Sequence, residues 1–361
     1  MPAPQILPPK LQQCLAVAVA QGASDLHLAA GYQPAIRLHG DLVELAGPPL
    51  AEAELQGMFS QLCPGELFAK LLAQKNLDWA FDAELDGQLC RFRANLFHAG
   101  GCLAACLRIV PPKIPSFEWA GFPRPLAEKL AFLRDGLVIF TGATGSGKTT
   151  SLAMIVNLLN QAGGYRIITV EEPLEYQFPH APHSLVTQRE VGPDVLSFAD
   201  GLKYGLRQDP DVILVGEVRD RETAQMALSA AETGHLVFTT LHTRDAKGAI
   251  SRYADLFPQD VQSDVRYQLA SSLRAVVAQR LLPALERGAK RHLALEVLWN
   301  ITPIVAGIRQ GKLESIDNYL LTSKGEGLIS FDESVRQLFR AGLITRQIAE
   351  QNVRDLGYLN R

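Results

Sequence analysis

The stretch Gly142-Ala143-Thr144-Gly145-Ser146-Gly147-Lys148-Thr149 follows the apolar run Leu137-Val138-Ile139-Phe140 and precedes a helical run from Ser151 to Asn160. It fits GxxxxGK(S/T) in the strand-to-helix setting that this phosphate-binding pattern requires. Glycines let backbone amides turn inward around phosphate oxygens, and the start of the helix adds positive potential. Lys148 is placed to contact the outer phosphates and Thr149 to supply a hydroxyl to Mg2+. ATP is therefore the expected ligand. Gly142, Ala143, Thr144, Gly145, Ser146, Gly147, Lys148, Thr149 and Thr150 are the expected nucleotide-binding residues.

Downstream, Ile167-Ile168-Thr169-Val170, Val212-Ile213-Leu214-Val215 and Leu236-Val237-Phe238 alternate with helical stretches. Such near-continuous apolar runs suit parallel strands covered on both faces. The strand Asp211 to Glu217 delivers a carboxylate at its C-terminal end, where parallel α/β sheets place their ligands. A strand ending in Glu is commonplace alone; beside a phosphate loop, Glu217 is placed to polarise an attacking water or hold it near magnesium. Val170-Glu171-Glu172-Pro173-Leu174-Glu175-Tyr176 ends another strand with three carboxylates, a costly concentration that a magnesium and water network satisfies. His235 and His242 bracket a further strand within Thr233 to Thr243. A lone histidine is more often structural, because imidazole packs and hydrogen-bonds readily.

Upstream, residues 1 to 10 contain four prolines and read as a frayed tail before an apolar helix from about Leu11 to Ala20. Short apolar runs between Ser24 and Val110, including Leu26-His27-Leu28 and Arg91-Phe92-Arg93-Ala94-Asn95-Leu96-Phe97, read as strands of a small antiparallel α+β domain. Five prolines between Pro111 and Pro125 interrupt backbone hydrogen bonding. The expected division is a domain over 1–110, a linker over 111–125 and an ATPase domain over 126–361. From about Asp245 onward the spacing of Leu269, Leu273, Val276 and Val277, and later Val335, Leu338 and Phe339, predicts a mainly helical appendage.

The 361 residues, 47% hydrophobic and 20% charged, suit two folded domains. Apolar stretches such as Cys14 to Ala20 fall short of the roughly 20 residues that a spanning helix needs. The N-terminus lacks the pattern of a secretory signal, which predicts a cytoplasmic chain. A net charge of -3 and no run of Lys or Arg give no electrostatic footprint for nucleic acid. Cys14, Cys63, Cys90, Cys102 and Cys106 form no CxxC pair and read as buried free thiols. Cys102 and Cys106, without nearby histidines, make a poor zinc site.

The phosphate loop, the acidic box EEPLEY, the strand DVILVGEVRD and the histidine box TGHLVFTTLHT occur in the order seen in secretion and pilus ATPases. With Gly22-Ala23-Ser24-Asp25-Leu26-His27-Leu28 and Arg91-Phe92-Arg93-Ala94-Asn95, the chain resembles the type IV pilus retraction ATPases over nearly its whole length. The resemblance implies an α/β fold: a RecA-like P-loop ATPase core with C-terminal helices, preceded by a small PAS-like α+β domain. It also implies a homo-hexameric motor, peripheral to the inner membrane, that hydrolyses ATP with Mg2+ and acts on an inner-membrane platform protein. Carried over by position, Glu175 and Glu217 activate water, Glu172 joins Thr149 at Mg2+ directly or through water, and His242 senses the γ-phosphate with His235 as a weaker partner. Arg207 and Arg219 match arginines that complete a neighbour's site, and Arg93 and Arg108 match N-domain arginines that approach nucleotide as the domains close. The acidic box here reads EEP where EDP is common. Ile304-Val305-Ala306-Gly307-Ile308-Arg309-Gln310 keeps part of the subgroup's AIRNLIRE helix, with a glycine that costs a helix about 1 kcal/mol against alanine. That change keeps a second role open, an accessory nucleotide-gated ring component beside a paralogous pilus ATPase. Pilus assembly and type II secretion ATPases usually carry a tetracysteine insertion that this sequence lacks; conjugation and type IV secretion ATPases share the core architecture.

Overall fold

The structure, a computed structural model, describes residues 4–110, 113–286, 289–322 and 327–360. It divides into two compact units, one within 1–113 and 286–290 and the other within 114–285 and 291–361.

In the first unit α1 (Pro9–Ala20) leads into β1 (Asp25–Ala29), β2 (Ala35–Leu38) and β3 (Asp41–Glu44), then α2 (Glu52–Leu62), α3 (Gly65–Gln74), β4 (Asn76–Leu85), β5 (Gln88–Ala99) and β6 (Cys102–Val110). The strands pair antiparallel in the order β3-β2-β1-β6-β5-β4. Successive side chains in a strand point to opposite faces. In β5, Cys90, Phe92, Ala94 and Leu96 therefore enter the core with Leu26 and Leu28, while Arg91, Arg93 and Asn95 occupy the other face. Register sets Arg93 opposite Arg108, and Arg108 opposite Asp25.

The second unit opens with α4 (Phe117–Ala120) and α5 (Arg124–Ala131). The stretch expected as a linker thus carries a short helix, and Phe117 and Phe122 are buried in this unit's core; Pro111 and Pro112 lie outside the described residues. There follow β7 (Gly136–Thr141), α6 (Lys148–Ala162), β8 (Arg166–Glu171), β9 (Leu185–Glu190), α7 (Phe198–Gly205), β10 (Val212–Val215), α8 (Arg221–Glu232) and β11 (Leu236–Leu241). The chain then forms α9 (Ala246–Asp255), α10 (Gln262–Ser272), β12 (Leu273–Leu282), β13 (His292–Trp299), α11 (Thr302–Gln310), α12 (Ile316–Thr322), α13 (Phe331–Arg340) and α14 (Arg346–Asn352). The seven-stranded sheet runs β13-β12-β7-β11-β10-β8-β9. Every neighbouring pair is parallel except β12 with β13.

Two corrections follow for the region after Asp245. Leu273, Val276 and Val277 lie in β12, not in a helix; they are buried beside β7, and periodicity does not separate a fully buried strand from a buried helix. Gly307 is also more than a helix cost. A Cβ there would stand 3.1 Å from the Lys312 carbonyl oxygen, so glycine permits the tight return of the chain after α11. No helix among the described residues is long and apolar enough to cross a membrane.

Candidate functional site

Because β7, β11, β10 and β8 are consecutive and parallel, their C-terminal ends share one edge of the sheet. At about 4.8 Å per strand, that edge brings four segments within about 14 Å. The phosphate loop leaves β7, the histidine box leaves β11, Glu217 follows β10 and the acidic segment follows β8.

The loop is built by close approach. Gly142 has φ 148°, and a Cβ on it would lie 2.5 Å from the Gln279 carbonyl oxygen and 2.6 Å from Ser146 Oγ. Gly147, at φ 90°, caps α6 in a left-handed conformation that favours glycine. Lys148 is buried and donates to the carbonyl oxygens of Gly142 at 2.8 Å and Ala143 at 3.2 Å. Burial lowers its pKa, and the negative charges of Glu217 and Glu175 act against that shift, which puts both carboxylates within electrostatic reach of the ammonium. Ser146 Oγ is buried without a hydrogen-bond partner. An ammonium folded onto loop carbonyls and an orphaned hydroxyl are groups that a polyphosphate satisfies, so the cradle fits its expected ligand. Thr149 is half-buried in the first turn of α6, whereas the Thr150 hydroxyl meets the Tyr176 hydroxyl at 2.9 Å.

The carboxylates divide by burial. Glu171 points inward, where burial pushes its carboxyl up to about 7 although the Thr169 hydroxyl and the Gln188 amide donate to it at 2.6 and 3.4 Å. Glu172 is exposed and Glu175 half-buried. Glu217 accepts from Arg219 Nη2 at 2.5 Å and lies 3.3 Å from His242 Nε2. The same guanidinium reaches Glu172 at 3.6 Å, and its bond to Glu217 is the main cause of a raised Arg219 pKa. Thr149 and Glu172 supply oxygen donors, the type that Mg2+ takes. Thr141, at the end of β7, accepts from the Thr243 amide at 2.9 Å and so fastens the histidine box to the strand that carries the loop.

Other expected residues lie elsewhere. His235 precedes β11, at the opposite end of the strand from His242 and about 20 Å away by strand rise. Its Nδ1 meets the Ala230 carbonyl oxygen at 3.0 Å, which makes it a structural residue and corrects its expected part in γ-phosphate sensing. Arg207 is exposed at the N-terminal edge, before β10, with its guanidinium 5.9 Å from the Tyr204 ring centroid. In the first unit Arg108 is held by Asp25 at 2.9 Å, and Arg93 neighbours it across the β5–β6 pair. The sequence offered no signal for Thr141, Gln188 or Gln279, whose amide donates to Ser151 at 2.8 Å. Their parts depend on which strands become neighbours.

Residues 4–309 match the profile of the family described as "Type II/IV secretion system protein". The chain is 36% identical over 344 residues to the type IV pilus retraction ATPase PilT of Pseudomonas aeruginosa, covering 95% of this chain and 98% of that one. To the type IV pilus ATPase PilU of the same organism it is 37% identical over 341 residues, covering 94% and 87%. A crystal structure of the pilus retraction motor PilT with bound ADP superposes with a TM-score of 0.83 at 41% identity, covering 97% of this chain and 99% of that one.

Proposed function

We propose that this chain, which belongs to the type II/IV secretion system protein family, is an ATP-hydrolysing subunit of a cytoplasmic homo-hexameric motor that powers type IV pilus retraction. The observation that carries the reading is the convergence of Lys148, Glu175, Glu217 and His242 on one sheet edge, in a chain similar over nearly its full length to a retraction ATPase.

The mechanism follows from what each side chain is free to do. Lys148 exchanges its loop carbonyls for the outer phosphate oxygens of ATP, and the amides around Gly147 receive the remaining charge. Glu217, with Glu175 within electrostatic reach of the same ammonium, orients water for in-line attack and takes its proton as the bond to the leaving ADP oxygen breaks. His242, in contact with Glu217, reports whether the γ-phosphate is present. Thr149 and Glu172 would hold Mg2+, which screens the phosphate charge. Arg219 keeps Glu217 paired until nucleotide arrives. Closure of one subunit's N-domain on a neighbour, and reopening on product release, converts turnover into displacement of an inner-membrane platform protein.

The test is ATP turnover by the purified wild-type chain and Glu217→Ala, with assembly verified by light scattering. Turnover is expected to fall by roughly 10²–10⁴-fold, the range for losing a positioned proton acceptor. Equal phosphate release by both would remove Glu217 from the mechanism. A second reading, an accessory ring component beside another pilus motor, draws on the level identities to PilT and PilU and on the altered α11. Restored retraction in a strain lacking its own retraction ATPase supports the motor; restoration only beside an intact paralogue supports the accessory role.

A further inference from the structure

We infer that Gln188 and Tyr176 are positioning residues that fix the acidic segment, and with it Glu172 and Glu175, against the phosphate-loop helix. The inference deepens the ATPase reading and rests on it. After Glu171 the chain runs without regular structure until β9, so residues 172–184 have no ladder of their own to hold the carboxylates in place.

Gln188 adds side-chain anchorage, beside the Glu175 backbone bond to the Glu171 carboxyl and the reach of Arg219 to Glu172. It lies opposite Thr169 in the β8–β9 register, and its side chain turns toward the segment. Its Nε2 donates to the Tyr176 carbonyl oxygen at 2.7 Å and to Glu171 at 3.4 Å, while its Oε1 accepts from the Phe178 amide at 3.0 Å. A carboxamide is suited to this because one planar group offers both donors and an acceptor. Leucine offers neither. Glutamate would keep the acceptor, lose the donor and set a second carboxylate beside the buried Glu171.

On the other side, Tyr176 is 6% exposed and its hydroxyl meets Thr150, adjacent to Thr149, at 2.9 Å. Asn160 on α6 adds a bond to the Pro179 carbonyl oxygen at 2.8 Å. The segment is thus pinned to β9 through Gln188 and to α6 through Tyr176, and Glu172 and Glu175 lie in the chain between Glu171 and Tyr176, both of which Gln188 contacts. A shift of about 1 Å in such a constellation can cost on the order of 10²-fold in rate.

The test uses the full chain with Gln188→Leu and Tyr176→Phe, in two assays. Hydrogen exchange of peptides spanning 172–180 is expected to quicken in Gln188→Leu, with exchange in the β7 and β10 cores unchanged. Turnover is expected to fall about 10–100-fold in Gln188→Leu and less in Tyr176→Phe, with the Kd for a fluorescent ADP analogue held within about threefold in Gln188→Leu, whose carboxamide bonds only Glu171, Tyr176 and Phe178. Unchanged exchange, unchanged kcat, or a loss of ADP affinity equal to the loss of kcat would each overturn the inference. A wild-type chain that fails to hydrolyse ATP would sink the ATPase reading instead, and the exchange data would then decide alone whether Gln188 holds the segment.

Discussion

Glu171 turns inward while Glu172 is exposed, and burial raises its carboxyl from an ordinary 4.5 to about 7. The folded chain therefore binds this proton more tightly than the unfolded chain does. Its stabilising contribution is complete below the unfolded value and is lost as pH rises through the folded one. A shift of that size corresponds to about 3 kcal/mol. Urea unfolding of wild type and Glu171→Gln from pH 5 to pH 8 should show the variant gaining on the wild type by up to about that amount. Parallel pH profiles would mean that Glu171 does not titrate in this window. Lys148 stands out as a candidate in the sequence from a short local pattern, and Glu217 only in company with it. The separate fate of Glu171 does not stand out there, since it depends on Gln188, 17 residues away and brought alongside only by the β8–β9 register. Likewise nothing in TGHLVFTTLHT says that its two histidines emerge at opposite ends of one strand, except the strand itself.

At the scale of elements, α7 shows how the sheet beneath the site constrains the helices that cover it. The helix is capped by Ser197, which accepts from the Asp200 amide at 3.1 Å, and it lies on β8. A Cβ on Gly201 would stand 2.6 and 2.8 Å from the two methyls of Val170, a fully buried residue immediately before Glu171. Helix propensity favours alanine by about 1 kcal/mol, but overpacking against a rigid β-branched side chain costs about 1–3 kcal/mol. Gly201→Ala should therefore destabilise in denaturant titrations and disturb turnover through β8. Gly205→Ala is the control: its Cβ would meet Ile168 no closer than 3.6 Å, so it should be neutral or stabilising by up to about 1 kcal/mol. Loss of stability in both would point to a general intolerance of α7 rather than to Val170. The parallel strands could be read from their apolar runs because both of their faces are covered. β12 could not, since its Val276-Val277 core follows α10 directly and the same apolar residues serve either period.

For the whole molecule, the sheet's direction bears on which arginines lie near their own chain's phosphate loop. Arg219 follows β10 and already touches Glu217 and Glu172, so it belongs to its own chain's cleft in this state. Arg207 precedes the same strand, and the strands that separate the two edges carry 4 to 6 residues each. At about 3.3 Å per residue that is roughly 13–20 Å of sheet between Arg207 and the phosphate loop. An arginine that neutralises transition-state charge must touch the phosphates, where it contributes about 10³–10⁵ in rate. If Arg207 has that part, it acts on a neighbouring subunit's nucleotide, and the ring becomes a requirement for catalysis rather than a container for it. Two separately inactive chains test this. Lys148→Ala retains Arg207 but cannot bind phosphate productively, and Arg207→Ala retains the loop but offers its neighbour no arginine. Mixed and reassembled, they create some interfaces with an intact loop on one side and an intact Arg207 on the other. ATP turnover is expected to recover well above the sum of the separate preparations, with a maximum near equal proportions. A mixture that merely averages its components would place Arg207 outside the neighbour's site and turn attention to Arg219, in its own chain's cleft, and to the N-domain arginines Arg93 and Arg108.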